Sequence, residues 1–72
     1  MNIHNLSVLS YVNGFTLWHY LDKQDLYTAQ LDFSCAWDML HKGDAIYIQN
    51  NQKVYQVYVS LVAKNRVLVQ EM

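Results

Sequence analysis

The feature that most constrains the fold is a series of three β-type segments towards the C-terminal end of the sequence. Residues 45–49, 53–62 and 66–70 are rich in β-branched and aromatic side chains, and polar turns at 50–52 and 64–65 separate them. Alternation in the middle segment predicts a mixed face and a buried face, the buried face formed by Tyr55, Val57, Val59 and Leu61. The sequence therefore predicts a three-stranded antiparallel meander.

A second β region precedes the meander. Asn13-Gly14 is a turn signal that connects a segment at 8–12 with one at 15–20, which predicts a further hairpin. In its second strand Phe15, Leu17 and His19 alternate with Thr16, Trp18 and Tyr20. We expect Phe15 to lie in the core, and Trp18 and Tyr20 to be partly exposed.

The segment between the two β regions shows helical periodicity. Its apolar residues fall at i, i+3, i+4 and i+7, namely Phe33, Ala36, Trp37 and Leu40. Asp32 or Ser34 can cap its start and Gly43 can end it. We predict an α-helix over about residues 33–42. The predicted fold class is mainly β, a small antiparallel β-barrel or sandwich-like meander with this one short α-helix, in a single β-rich domain of residues 1–72.

Apolar residues are more abundant than one small core can bury. The 72 residues are 53% hydrophobic and 15% charged, whereas an ordinary domain carries about 25% charged residues, and a chain this small buries only about 60% of its surface. This composition excludes a disordered tail and disfavours a solitary monomer. The net charge of -1, with basic residues spread singly, disfavours nucleic acid as a partner. Because there is no signal-peptide pattern or long apolar stretch, we expect a soluble, unprocessed chain with no membrane partner.

Residues that could support catalysis or bind a metal form no recognisable constellation. The spacing of His4, His19 and His41 matches no zinc-ligand pattern, and Cys35 is the single cysteine. A nucleophilic Cys35 would need a cleft and an oxyanion donor set, so we expect a small buried residue instead. We predict no enzymatic activity, no metal site and no cofactor.

The pattern Leu40-x-x-Gly43-Asp44-x-Ile46 is typical of a turn that leads into a strand. Its glycine can take a positive φ, and the aspartate carboxylate can accept nearby backbone N–H groups. We therefore assign structural turn roles to Gly14, Gly43 and Asp44.

Aromatic side chains are candidates for contact with a partner. On a small barrel they could stack single-stranded bases, but few basic residues accompany them. A protein contact is favoured, because tyrosine and tryptophan are enriched at such interfaces. The predicted interface consists of residues without an obvious internal position: Trp18, Tyr20, Val54, Tyr58 and Val62.

Two motifs together resemble a known group of proteins. Residues 13–20 read Asn-Gly-Phe-Thr-Leu-Trp-His-Tyr, and further on comes Phe33-x-x-Ala36-x-Asp38-Met39-Leu40-x-x-Gly43-Asp44-x-Ile46. Covering about residues 13–50, they resemble short virion structural proteins, capsid decoration or cement-like, of tailed bacteriophages and prophages. The sequence departs from the family pattern at residues 21–27 and 31–34. The resemblance implies a small β-rich protein of the phage particle without enzymatic activity.

We therefore expect a capsid decoration or cement subunit that forms a homo-oligomer, with a trimer as one candidate. It would dock on the major capsid protein or another virion protein, and reside in the virion after synthesis in the host bacterial cytoplasm. Two alternatives remain open. The chain could be a fibre or tail component of a phage, or a free small-barrel module that binds single-stranded nucleic acid or a host protein.

Overall fold

The computed structural model describes residues 3–23 and 32–71, which form one mixed five-stranded sheet. The strands lie side by side in chain order, as β1 Leu6–Val12, β2 Phe15–Leu21, β3 Ala45–Gln49, β4 Val54–Ala63 and β5 Arg66–Glu71. Within these residues, short 3-10 helices at Ile3–Asn5 and Ser34–Ala36 precede β1 and β3. The mainly β fold class is therefore confirmed.

The predicted C-terminal meander is confirmed. β3 pairs antiparallel with β4, and β4 pairs antiparallel with β5. Asn50 builds the first turn, because its Oδ1 accepts hydrogen bonds from the backbone N–H groups of Gln52 and Lys53, both at 2.9 Å. Asn65 occupies the second turn with a φ of 61°, a conformation that asparagine tolerates better than most residues.

A β-bulge changes which residues of β4 face the core. The pairing of β4 with β5 shifts between Val59 and Leu61, so Ser60 is an extra residue. Val57 and Val59 are buried as predicted, but Leu61 is 41% exposed and Val62 packs against the core. The predicted positions of Leu61 and Val62 are wrong, because one extra residue moves the alternation to the other face.

The predicted hairpin of β1 and β2 is confirmed, but the core face of β2 is the opposite of the predicted one. Thr16, Trp18 and Tyr20 are buried, whereas Phe15 is 40% exposed. The prediction of Phe15 in the core is therefore wrong, and so is the expectation that Trp18 and Tyr20 lack an internal position. The indole N–H of Trp18 finds a buried acceptor elsewhere in the chain, which allows the ring to be buried.

β2 and β3 pair in parallel, from Leu17 opposite Ala45 to Leu21 opposite Gln49. The prediction of a purely antiparallel sheet is therefore wrong. Parallel neighbours need a crossover connection of about a dozen residues or more, and residues 22–44 connect these two strands. In the described residues β1 and β5 are the two edges of an open sheet.

The segment predicted as an α-helix at residues 33–42 forms one 3-10 turn at Ser34–Ala36 followed by further turns. Three of its backbone N–H groups donate to carbonyl groups three residues earlier, at 2.9, 3.2 and 2.9 Å, and the N–H of Leu40 donates four residues back. The α-helix prediction is therefore wrong. Phenylalanine, cysteine, tryptophan and aspartate are weak helix formers, and so short a helix hardly offsets its nucleation cost.

The periodicity of that segment nevertheless identified core residues. Phe33, Ala36 and Leu40 are buried, and Trp37 packs against them half-buried. They cover the face of the sheet that carries Tyr20, whose ring meets that of Phe33 edge-on, with centroids 5.4 Å apart and an interplanar angle of 82°. The hydrophobic core therefore lies between this segment and one face of the sheet.

Candidate functional site

The buried carboxylate of Asp44 joins β2 to the turn before β3. Its Oδ1 accepts a hydrogen bond from the backbone N–H of Thr16 at 3.0 Å. Its Oδ2 accepts from the indole Nε1 of Trp18 at 3.1 Å and from the backbone N–H of His41 at 3.0 Å. The backbone N–H of Val59 on β4 donates to the Asp44 carbonyl at 2.8 Å. Asp44 thus connects three parts of the chain.

Gly43 sets the direction in which the chain enters this site. Its φ is 93°, a value that side chains with a Cβ rarely adopt, and its N–H donates to the carbonyl of Val59 at 2.9 Å. Gly14, in the turn between β1 and β2, has a φ of 92°. Both glycines lie in turns with left-handed backbone, and Asp44 directly follows the second.

These contacts engage both oxygens of the Asp44 carboxylate as acceptors. Three donors already occupy its two oxygens, and the imidazole Nδ1 of His41, 3.8 Å from Oδ2, belongs to a side chain that is 79% exposed. His19 lies on β2, where its Nε2 is 3.1 Å from Oε1 of Gln49. In residues 3–23 and 32–71, no group of three or more His, Cys, Asp and Glu side chains is placed to hold a metal ion.

Cys35 is exposed, so the expectation of a buried residue is wrong. It lies in the 3-10 turn, where consecutive side chains point in different directions. On one side the Ser34 hydroxyl oxygen accepts a hydrogen bond from the backbone N–H of Val67 at 3.1 Å, and on the other Ala36 is buried in the core. The sulfur is left at the surface.

An open pocket of about 370 Å³ lies beside Asp44 at the turn between β1 and β2. Its lining comprises Tyr11, Val12, Gly14, Phe15, Thr16, Trp18, Met39, His41 and Asp44. Most of these side chains are apolar or aromatic, and the Asp44 oxygens are engaged with their own donors. The pocket is therefore an open recess that combines apolar and aromatic side chains with the polar residues Thr16, His41 and Asp44.

The structure separates the residues of the predicted interface. Trp18 and Tyr20 are only 7% and 4% exposed, and they belong to the core. Val62 packs against the same core. Val54, which is 50% exposed, and the half-buried Tyr58 lie on the other side of the sheet. Of the five predicted residues, these two share an exposed face.

Val54 and Tyr58 belong to the broad side of the sheet that faces away from the core, which we call the outer face. Paired residues point to the same side of a sheet, so the strand registers define its members. The apolar members that are at least a third exposed are Val12, Phe15, Leu21, Tyr47, Val54, Leu61 and Leu68. Arg66 is the charged member, and the uncharged polar members are Ser7, Ser10, His19, Gln49, Gln56, Tyr58 and Gln70.

Among Lys, Arg, Asp and Glu, the outer face carries one residue, Arg66, which begins β5 and pairs with Ala63 at a corner of the sheet. Every such residue in the described ranges lies in a turn, in a connection or at the first or last position of a strand, as Arg66 and Glu71 do in β5. A sheet with one solvated face normally places polar residues outward. The absence of charge inside all the strand segments was the sequence signal for this surface, and it does not depend on the register.

A second exposed apolar surface, which carries no charged residue, lies at the free edge of β1. We call it the β1 edge and define it by Val8, Leu9 and Tyr11, which are 47%, 53% and 80% exposed. Leu9 is the extra residue of a bulge, because the pairing with β2 shifts between Val8 and Ser10. Edge strands are usually protected by lysine, proline or a bulge, and β1 has only the bulge.

The start of the 3-10 turn contains one perturbed carboxylate. Asp32 Oδ1 accepts a hydrogen bond from the backbone N–H of Ser34 at 3.0 Å. Hydrogen bonds from the Ser34 side chain and backbone hold the pKa of Asp32 below its ordinary value of 3.8. Because Ser34 is also bonded to Val67 on β5, this exposed carboxylate supports the segment that covers the core.

A scan against protein-family models gave no match for this chain, and searches of curated proteins and of solved structures gave none either. The resemblance to virion proteins therefore stays a prediction. In the part of the chain that the structure describes, no helix is long and apolar enough to cross a membrane.

Proposed function

We propose that this chain is a non-enzymatic structural protein of a tailed-phage particle, an oligomeric subunit that decorates or cements the capsid. The observation that carries the proposal is the pair of exposed apolar surfaces on a domain this small, namely the outer face, with Arg66 at one corner, and the uncharged β1 edge. Exposed apolar patches of this kind mark protein contacts. Two separate surfaces suit a subunit that contacts both its own copies and a larger lattice.

The two motifs that resemble phage virion proteins meet in space, which supports the proposal. The first motif forms β2, and the second carries Asp44. Asp44 accepts hydrogen bonds from Thr16 and Trp18, which belong to the first motif. The motif residues therefore cooperate in holding the fold together rather than in forming a reactive site. This is the role expected of a family defined by structure and not by catalysis.

In the proposed mechanism, the β1 edge and the neighbouring recess dock on the major capsid protein or another virion protein. Each contact is small, but a symmetric shell repeats it many times, so weak contacts add up. Such contacts stabilise the assembled shell over separated subunits, because they exist only in the assembled state. The sandwich-like architecture is part of the same proposal, with a partner supplying the second layer over the outer face.

Mass spectrometry of purified particles, produced by the phage or prophage that carries this gene, tests the proposal. We expect the chain in intact particles at a copy number comparable to that of the major capsid protein. A few copies per particle would indicate a fibre or tail component instead, and absence from the particles would refute a virion role.

The Tyr11→Lys variant tests the docking surface in the same experiment. Tyr11 is 80% exposed, so the variant should fold, but an unpaired ammonium group in the contact should prevent incorporation into particles. Lys64→Ala is a suitable control, because Lys64 lies in the exposed turn between β4 and β5, and it should be incorporated normally. Equal incorporation of both variants would contradict docking through the β1 edge.

A further inference from the structure

We propose that the outer face packs against the outer face of a second copy of this chain, so that two open sheets form a two-layered sandwich. The inference rests on the proposed function in one respect, the oligomeric subunit, and adds the surface and the partner. The apolar members of the outer face are distributed over all five strands, for example Phe15 on β2, Tyr47 on β3 and Leu68 on β5. The patch therefore spans the sheet instead of lying at one end of it.

The scarcity of charge on the outer face favours a second copy over other partners. A face with several like charges would repel its own copy, whereas the single charged residue Arg66 begins β5 at a corner of the sheet and can stay in solvent beside the contact. Over the rest of the face, a charged partner would lose hydration without gaining a counter-charge. Apart from Arg66, the polar side chains of the outer face are serine, histidine, glutamine and tyrosine, each able both to donate and to accept hydrogen bonds. The same set of groups can therefore satisfy itself across a two-fold axis.

Two hydrogen bonds within the outer face lower the cost of removing it from water. The Tyr58 hydroxyl donates to Oε1 of Gln70 at 2.7 Å, across β4 and β5. His19 Nε2 lies 3.1 Å from Oε1 of Gln49, across β2 and β3. Polar groups that are already paired lose less on desolvation than unpaired ones, and their side chains have less freedom left to lose.

The area is sufficient for a specific contact. With strands about 4.8 Å apart and same-face residues about 6.7 Å apart along a strand, the outer face spans roughly 500 Å². That is about a tenth of the molecular surface of 4746 Å², and a pair of faces would bury roughly 1,000 Å², the lower limit for a biological interface. Side chains rise above the sheet plane, so this flat area is a minimum. Packed sheets lie about 10 Å apart.

Sedimentation equilibrium of the purified chain tests the inference with a matched pair of variants. Tyr47→Lys places a charge on the outer face, and Tyr11→Lys makes the same change at the β1 edge. The wild type and Tyr11→Lys should sediment at twice the chain mass of 8.5 kDa. Tyr47→Lys should sediment as a monomer, with its dissociation constant raised at least ~100-fold by a buried unpaired ammonium group.

Circular dichroism checks that each variant retains its sheet. Val54→Lys, at a 50% exposed position of the same face, replaces Tyr47→Lys if the latter does not fold. A monomeric wild type, a trimer, a dimer that survives the outer-face substitutions, or a dimer lost in Tyr11→Lys would each overturn the inference. A trimer would do so because an isologous face is fully used in a pair. The experiment needs no particles, so its failure is distinguishable from a failure of the virion assignment.

Discussion

Replacement of Asp44 by asparagine should destabilise the fold strongly, although the two side chains have nearly the same size and shape. The carboxylate faces three donors, the backbone N–H groups of Thr16 and His41 and the indole N–H of Trp18. The asparagine amide has only one acceptor oxygen. In its best orientation this oxygen accepts hydrogen bonds from Trp18 and His41, and the NH2 group then points at the N–H of Thr16. One buried donor is then unsatisfied and faces another donor.

The magnitude follows from that geometry. An unsatisfied buried donor costs about 1–3 kcal/mol, and the remaining bonds weaken because the acceptor is no longer charged. We expect Asp44→Asn to lower the free energy of unfolding by about 2–4 kcal/mol. A 72-residue domain has a total of roughly 4–11 kcal/mol, so the loss is a large share of it.

Urea unfolding followed by circular dichroism, at one fixed protein concentration, measures the effect. Asp38→Asn is the matched control, because Asp38 is exposed and the same change there should stay within about 0.5 kcal/mol. A double-mutant cycle of Trp18→Phe with Asp44→Ala, which removes the acceptor itself, should give about 1 kcal/mol of coupling for the indole bond. If Asp44→Asn cost no more than Asp38→Asn, the structural role of the carboxylate would be refuted.

Two further predictions concern the segment that covers the core. Asp32→Ala should cost about 0.5 kcal/mol at neutral pH, since it removes an exposed hydrogen bond. Because the folded-state pKa of Asp32 is lowered from 3.8, this contribution is present above pH 3.8 and is lost as the pH falls through the lower folded value. Urea unfolding across this pH range should show the variant and the wild type converging in acid, and a constant difference would contradict the assignment. Gly43→Ala should cost about 1–2 kcal/mol through backbone strain alone, because φ is 93° and no heavy atom lies within 4 Å of the added Cβ; an unchanged urea midpoint would contradict this.

The meander could be predicted because its signals are local. Asn50 and Asn65 occupy the turns, and the segments between them have β-type composition. The prediction of which strand face is buried was wrong in β4, where a bulge adds one residue, and in β2, where both faces are apolar. The extra residue Ser60 shifts the alternation of β4, and nothing in the composition of the strand indicates this bulge. Leu61 and Val62 therefore face the sides opposite to those predicted.

The candidate site depended on contacts between distant residues. In β2 both faces are apolar enough to be buried, and the choice is made by the bond of Trp18 to Asp44, which lies 26 residues along the chain. The predicted interface placed Trp18 and Tyr20 outside because no acceptor was visible near them in the sequence. The absence of charge from the interior positions of the strands, by contrast, is visible in the sequence without knowledge of the register, and it leaves Arg66 as the one charged residue of the outer face.

The position of Asp44 also bears on the order in which the chain can fold. β1 with β2, and β3 with β4 and β5, are joined by short turns, so each group can assemble from residues close in sequence. The parallel pairing of β2 with β3 must close the much longer connection of residues 22–44, which is entropically costly and slow. Asp44 ends that connection, and its carboxylate accepts hydrogen bonds from Thr16 and Trp18 of β2. Its hydrogen bonds therefore help to join the β1–β2 hairpin to the β3–β5 meander in one sheet.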